Sequence, residues 1–273
     1  ADMLALIARL ETLNARGAII SEKRRPRFEA RGQLTPRERL ARLLDPGMPF
    51  LSVGNLAGYL LDTEDPDKSI AGSTIIAGIG FVGGMRCVVV VDDSGISAGA
   101  ATPTTGEKIE ACLDVALRHK LPFIHLVESA GADLFAYRVE SWARAGGMFY
   151  RHARLSAAGI PTITVLHGPA TAGGAYMPGM SDYVIAVKGR GRASLGGAAL
   201  VRAATGEISD EEELAGTDMH ATVSGLVEYT AEDDGDALFS ARQLVERLDW
   251  NARCEQVTPV SFEEPCFAPE EIA

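Results

Sequence analysis

The sequence predicts an α/β protein, because short apolar runs alternate with helical patterns over most of its length. The apolar runs are residues 74–79, 87–91, 123–127, 162–166 and 183–187. Their length and nearly continuous apolar character are typical of strands buried on both faces. Helical patterns separate them; Ile109, Cys112 and Ala116, for example, share one helical face. This alternation favours a layered α/β domain over an all-β sandwich.

Helical patterns also open the chain. One helical face is formed by Met3, Leu6, Ile7, Leu10 and Leu13. We expect Gly17 to end that helix, since glycine commonly stands just past a helix C-terminus. Thr35 and Glu38 predict a capping box, in which each side chain bonds a free backbone N–H at the start of a second helix. Ser209 and Glu212 predict another capping box later in the chain.

Composition excludes several classes of protein. The formal net charge of −11 at pH 7 argues against a nucleic-acid partner, because phosphate binding needs clustered Lys and Arg in excess. The four cysteines form no CxxC pair and no zinc-ligand spacing, so neither a disulfide framework nor a metal site is predicted. Apolar runs fall far short of the roughly twenty residues of a membrane helix, and no signal-peptide pattern opens the chain. We therefore expect a cytoplasmic protein with no membrane partner.

Three predicted strands lead into loops of small residues. The loops are Ser97-Ala98-Gly99-Ala100, Ser129-Ala130-Gly131-Ala132 and Thr171-Ala172-Gly173-Gly174-Ala175. Ligands of α/β folds bind at the edge where such strands end. Glycine pairs let backbone N–H groups approach a ligand closely, and a helix N-terminus adds partial positive charge aimed at an oxyanion. The alternatives are that the third loop is only a packed turn and the first a flexible connection.

Side chains give weaker signals than these loops. The sequence has no nucleophile elbow, Walker loop, HExxH, or GxGxxG after a strand, which is consistent with chemistry that needs no side-chain nucleophile. The five histidines show no ligand spacing, and we expect His220 to be buried with a structural hydrogen-bonding role. Tyr176 and Met177 either line a ligand pocket or fill the core.

Six strings, in order along nearly the whole chain, resemble the β subunits of biotin-dependent acyl-CoA carboxylases, within the crotonase-like superfamily. The strings are Gly32-Gln-Leu-Thr-Pro-Arg-Glu-Arg-Leu40 with Leu43-Leu-Asp-Pro-Gly47, Ser129-Ala-Gly-Ala132, Gly146-Gly147, Thr171-Ala-Gly-Gly-Ala175, Ala204-Thr-Gly-Glu207 and residues 220–225. Residues 201–207 and 218–220 look more like the methylcrotonoyl and geranoyl type than the propionyl type. The chain departs from the family pattern at Ala130 and at Gly197-Ala-Ala199, where the family usually has SGGA and GGPP.

The resemblance implies a crotonase-like (ClpP/crotonase) spiral of ββα units. Residues 1–258 would form the N-terminal carboxyltransferase domain, with residues 1–47 as a helical N-terminal segment. Residues 259–273 would form a linker toward a second carboxyltransferase domain that the chain lacks, since family β subunits are about twice this length. Family members form rings of subunits, so we expect a homo-oligomer.

The resemblance also implies an activity. The chain would be the acyl-CoA-binding half of a carboxyltransferase, which moves a carboxyl group from carboxybiotin to an acyl-CoA through a thioester enolate. The backbone N–H groups matching Gly173 and Gly174 would form the catalytic oxyanion hole. The substrate would be bound by Ala98, Gly99, Ser129, Ala130, Gly131, Ala132, Ala175 and Tyr176. Biotin would be carried by an α subunit that contains the biotin carboxylase and biotin carrier.

The phosphates of CoA would need basic partners. Arg24, Arg25 and Lys108 are candidates, and the alternative for each is an ordinary solvated position. Two other functions stay open at this point. One is a stand-alone crotonase-type hydratase, isomerase or hydrolase, for which Glu128 is the nearest acid or base in sequence. The other is a non-catalytic assembly module.

Overall fold

The computed structural model describes residues 3–132, 139–144, 146–253, 261, 263–268 and 271. Seven of the fifteen residues of the predicted linker over residues 259–273 therefore lie outside the described residues. Within them, no helix combines the length and the apolar composition that crossing a membrane requires.

The described elements alternate between helix and strand, as the sequence predicts. The helices are α1 (Met3–Glu22), α2 (Arg25–Ala30), α3 (Pro36–Leu43), α4 (Pro103–His119), α5 (Val139–Arg144), α6 (Gly146–Ala157), α7 (Tyr176–Met180), α8 (Ala198–Thr205), α9 (Glu211–Ala215), α10 (Thr217–Met219), α11 (Asp234–Leu248) and α12 (Trp250–Arg253). The strands are β1 (Leu51–Ser52), β2 (Ile75–Val82), β3 (Met85–Asp92), β4 (Phe123–Ser129), β5 (Thr162–Thr171), β6 (Tyr183–Val187), β7 (Arg192–Ser194) and β8 (Tyr229–Ala231). All five predicted strands are confirmed.

The strands form one mixed sheet. Its order is β1-β2-β3-β4-β5-β6-β8, and β7 pairs with the end of β5. β1, β2 and β3 pair antiparallel, whereas β3, β4, β5, β6 and β8 run parallel. The carboxyl ends of β3, β4 and β5 therefore meet at one edge, and the predicted α/β class is confirmed.

Helices cover both faces of this sheet. On one face, α3 and α11 pack on β3, β4, β5 and β6 through residues such as Leu43, Ile163 and Leu238. On the other, α4 and α6 pack through Leu113 and Leu155. Every residue of β4 is buried, because it is a central strand covered from both sides.

Two local predictions were wrong, and each has a physical reason. α1 continues through Gly17, which is buried against the chain at Ala71, so this position packs inside the helix and does not end it. The N-cap of α9 is Asp210 rather than Ser209, because the Asp210 carboxylate accepts from the backbone N–H groups of Glu212 and Glu213. The capping box of Thr35 and Glu38 is confirmed.

Candidate functional site

Hydrogen bonds join the first two small-residue loops at the edge of the sheet. The N–H of Ala130 donates to the carbonyl of Ala98 at 3.1 Å, and the N–H of Ala101 donates to that of Gly131 at 2.8 Å. The hydroxyl of Ser129 donates to the carbonyl of Gly99 at 2.7 Å. These bonds order the loop after β3, so it is not the flexible connection that was its alternative interpretation.

The third loop packs on the second through glycine. Gly131 has a φ of +90°, and a Cβ on it would lie 2.9 Å from the carbonyl oxygen of Thr171. Ser129 and Ala170 are paired in the sheet just before the two loops diverge. The structure thus brings the ends of β3, β4 and β5 into contact.

Gly173 and Gly174 lie in the third loop, in a single 3₁₀ turn over Ala172–Ala175 that leads into α7. A Cβ on Gly173 would meet no described heavy atom within 4 Å, and one on Gly174 would only touch Ser129, at 3.8 Å. The first turn of a helix leaves backbone N–H groups without partners inside the helix. The Cβ positions of these two glycines therefore face open space, from which a ligand can approach the backbone.

Gly131 gives a stability prediction. In Gly131→Ala, the alanine must keep the left-handed backbone conformation of Gly131, and its methyl group must overlap the carbonyl oxygen of Thr171. We therefore expect the free energy of unfolding to fall by about 2–3 kcal/mol. Gly84→Ala is the matched control, because Gly84 has a φ of +76° but open space around its Cβ position. Chemical unfolding of both variants should show the larger loss for Gly131→Ala. Equal losses would mean that the contact with Thr171 does not constrain the loops.

The smaller candidates divide between surface and interior. Ala98, Ala130 and Ala132 are exposed on the loops, whereas Gly99 is buried beneath them. Ala175 is half-buried. Tyr176 is 43% exposed, and its ring lies 4.6 Å from that of Phe149. Met177 is buried in the core, so of the two residues only Tyr176 is placed to line a pocket.

The basic candidates lie in different surroundings. Arg24 is exposed at the start of α2. Arg25 is ion-paired with Glu22 and, at 2.7 Å, with Glu38, so carboxylates of its own segment already balance its charge. Lys108 is buried, and its Nζ donates to the carbonyls of Gly72 (3.0 Å) and Ile75 (2.9 Å).

Burial lowers the pKa of Lys108 to about 8. Lys108 lines a cavity of about 160 Å³, and Arg37 and Asp93 also line it. Its ammonium therefore holds the chain before β2 and is not freely exposed to a phosphate in solution.

Sequence reasoning missed a buried ionic cluster beneath the loops, formed by Arg39, Glu128, His167 and Asp234. Arg39 is 1% exposed, and its guanidinium lies between the carboxylates of Glu128 (2.5 Å) and Asp234 (3.2 Å). The Nδ1 of His167 lies 3.0 Å from Asp234. The cluster thus joins α3, the end of β4, β5 and the start of α11.

The surroundings lower the pKa of two members of this cluster, His167 and Asp234. Burial and the nearby Arg39 lower the pKa of His167, so its ring stays neutral and Nδ1–H donates to Asp234. Burial opposes ionisation of Asp234, but its hydrogen bond with His167 and the charge of Arg39 hold its pKa well below the usual range. Gln33 adds a link, since its Nε2 lies 3.3 Å from both Glu128 and the carbonyl of His167.

His220 is buried, as expected. Its Nδ1 lies 2.8 Å from the hydroxyl of Ser224, and its Nε2 lies 2.8 Å from the carbonyl of Ala193. Both ring nitrogens are therefore used in holding β7 against the turn after α10. In the part of the chain that the structure describes, no group of three or more His, Cys, Asp or Glu side chains is arranged to hold a metal ion.

Comparison with known proteins gives consistent matches. The Carboxyl transferase domain family matches residues 27–272. The probable biotin-dependent acyl-coenzyme A carboxylase beta2 subunit of Mycobacterium tuberculosis is 45% identical over 246 residues, which are 90% of this chain and 45% of that protein. The mitochondrial methylcrotonoyl-CoA carboxylase beta chain of Dictyostelium discoideum is 40% identical, over 92% of this chain and 42% of that protein.

Solved structures agree with these relatives. The β subunit of P. aeruginosa geranyl-CoA carboxylase superimposes on this chain with a TM-score of 0.88 and 44% identity, over 99% of this chain and 49% of that one. The transcarboxylase 12S hexamer, solved with methylmalonyl-coenzyme A, gives a TM-score of 0.77 and 28% identity, over 89% of this chain and 46% of that one. The chain spans about half the length of these relatives, and it belongs to the carboxyl transferase domain family of biotin-dependent acyl-CoA carboxylase β subunits.

Proposed function

We propose that this chain binds an acyl-CoA thioester and stabilises its enolate as the thioester half of a biotin-dependent carboxyltransferase. The observation that carries the proposal is the open space over Gly173 and Gly174, at an edge where three loops of small residues converge. A thioester carbonyl can approach backbone N–H groups there without meeting a side chain. Family membership supports the same assignment.

The work of this chain is electrostatic. Loss of a proton next to the thioester moves negative charge onto the carbonyl oxygen, and the N–H groups of Gly173 and Gly174 would hold that charge. A preorganised donor of this kind contributes about 3–4 kcal/mol, or 10²–10³ in rate. Bound carboxybiotin would supply CO2, and the ureido nitrogen that loses this CO2 would take the proton. Backbone donors explain why the sequence shows no catalytic side chain.

The finer parts of the proposal follow from the family. The fold is a crotonase-like spiral of ββα units, with residues 1–258 as one domain, its helical segment over residues 1–47, and residues 259–273 leading to a second carboxyltransferase domain that holds biotin. The biotin is carried on an α subunit, the complete enzyme is a cytoplasmic homo-oligomer, and the substrate is of the methylcrotonoyl or geranoyl type. Similarity to β subunits with those substrates supports the last point.

The surroundings of Glu128 disfavour the stand-alone hydratase. That reaction needs an acid or base that reaches the thioester, but Glu128 is buried and its carboxylate is paired with Arg39. Its other carboxylate oxygen lies 3.3 Å from the Nε2 of the buried Gln33. The acid or base nearest in sequence to the small-residue loops is therefore already ion-paired in the protein interior.

Calorimetry and a hydration assay test the proposal. We expect 3-methylcrotonoyl-CoA to bind the chain, while free CoA binds more weakly and no enoyl-CoA is hydrated. Absence of any thioester binding would support the assembly module. Hydration that is lost in Glu128→Gln, with the variant still folded, would support the hydratase and contradict our proposal.

A further inference from the structure

A second cavity lies beside the turn that contains Gly173. It has a volume of about 300 Å³ and is bounded by the end of β5, by β7 and by the starts of α8 and α9. Thr171, the residue just before Ala172, is in its wall, and Thr171 pairs with Ser194 of β7. The cavity therefore adjoins the site proposed for the thioester oxygen.

Arg192 is the cation among the described residues that line this cavity. Its side chain is 34% exposed, and its buried Nε has no hydrogen-bond partner among the described residues. Glu212 is its ion-pair partner in the described structure, but the distance from Nε to the carboxylate is 3.7 Å, which is too long for a hydrogen bond. Glu211 also lines the cavity, yet its Oε1 already accepts from the N–H of Ala198 at 2.9 Å.

The rest of the described wall is small or polar. Thr171 and Ser194 carry hydroxyl groups, and Gly197, at the start of α8, has no side chain and lies against the Glu211 carboxylate. A guanidinium presents N–H donors in a planar fork that matches a carboxylate. These groups suit a small anion with oxygen acceptors better than a hydrocarbon chain.

We propose that the Arg192 cavity receives a carboxylate on the acyl group, namely the carboxyl group that the proposed reaction adds. This inference rests on the proposed function. When the enolate carbon forms its bond to CO2, the negative charge leaves the thioester oxygen and appears on the new carboxylate. Arg192 then pairs with that charge one strand away from Gly173, and the step needs no further reactant.

A pair of thioesters that differ only in this carboxylate tests the inference. The probes are 3-methylcrotonoyl-CoA and 3-methylglutaconyl-CoA, which has the same acyl skeleton with one added carboxyl group. We expect the wild-type chain to bind the carboxylated thioester at least tenfold more tightly, and Arg192→Met to abolish that preference. Arg202→Met, a change of an exposed arginine on α8, should keep the preference. Arg192→Lys should retain part of it, because the positive charge stays.

Each outcome decides a different claim. Equal affinity of the wild type for both probes, or an unchanged preference in folded Arg192→Met, would overturn the carboxylate site while leaving the proposed function intact. Failure of the wild type to bind either probe would overturn the proposed function itself. The wild-type comparison stands even if Arg192→Met does not fold.

Discussion

Gly173→Val is expected to lower the affinity for acyl-CoA by at least 100-fold while leaving the fold unchanged. The structure leaves open space where the new Cβ would lie, so the folded chain accommodates the side chain. A β-branched valine in that space, however, blocks the approach of the thioester oxygen to the backbone N–H groups. Gly174→Val should behave in the same way, with slight contact to Ser129.

Gly179→Val is the matched control for both variants. Gly179 lies in α7, five residues beyond Gly174, and a Cβ on it would also meet no described atom within 4 Å. Circular dichroism and thermal unfolding should place all three variants close to the wild type, and calorimetry should show lost binding only for the first two. A folded Gly173→Val chain that binds acyl-CoA as tightly as the wild type would show that this loop is not the oxyanion hole.

Arg39→Met is expected to destabilise the protein by about 3–5 kcal/mol, because it leaves the buried Glu128 and Asp234 without their shared cation. Both carboxylates are nearly inaccessible to water, so neither can be solvated in compensation. Since Glu128 directly precedes Ser129, and His167 lies on the strand that leads to Thr171, the loops should also lose their positions. We therefore expect acyl-CoA binding to weaken together with stability.

Arg151→Met serves as its control. Arg151 also pairs with two carboxylates, Glu110 at 2.8 Å and Asp114 at 2.9 Å, but all three side chains are partly exposed on α4 and α6. Partly exposed pairs contribute only about 0–1 kcal/mol. Urea unfolding should separate the two variants clearly. If Arg39→Met lowered the free energy of unfolding by less than 1 kcal/mol, the buried cluster would not be what holds the ends of β4 and β5.

The sequence predicted the strands and the small-residue loops because both are local patterns. Continuous apolar runs identified β4 and β5, and glycines at strand ends identified the loops. Thr35 and Glu38 were recognised because a capping box depends on residues only three positions apart. The contact between the loops also followed, since neighbouring parallel strands end at one edge of a sheet.

The rest depends on residues far apart in the chain. The residues around Arg39 are as rich in charge as those of an exposed helix. Its partners Glu128 and Asp234 are 89 and 195 positions away. Nothing local distinguishes it from a surface arginine. Gly17 likewise matched the pattern of a helix end, because Ala71, against which it packs inside α1, is distant in sequence.

Carboxyl transfer from labelled bicarbonate tests the central claim most directly. The assay contains this chain, a biotinylated α subunit with ATP, and 3-methylcrotonoyl-CoA, with or without a second carboxyltransferase domain added as a separate polypeptide. We predict that the chain alone binds the thioester but incorporates no label, and that adding the second domain restores incorporation, which Gly173→Val abolishes. Transfer by the 273-residue chain alone, or full transfer by the complex containing Gly173→Val, would contradict the account.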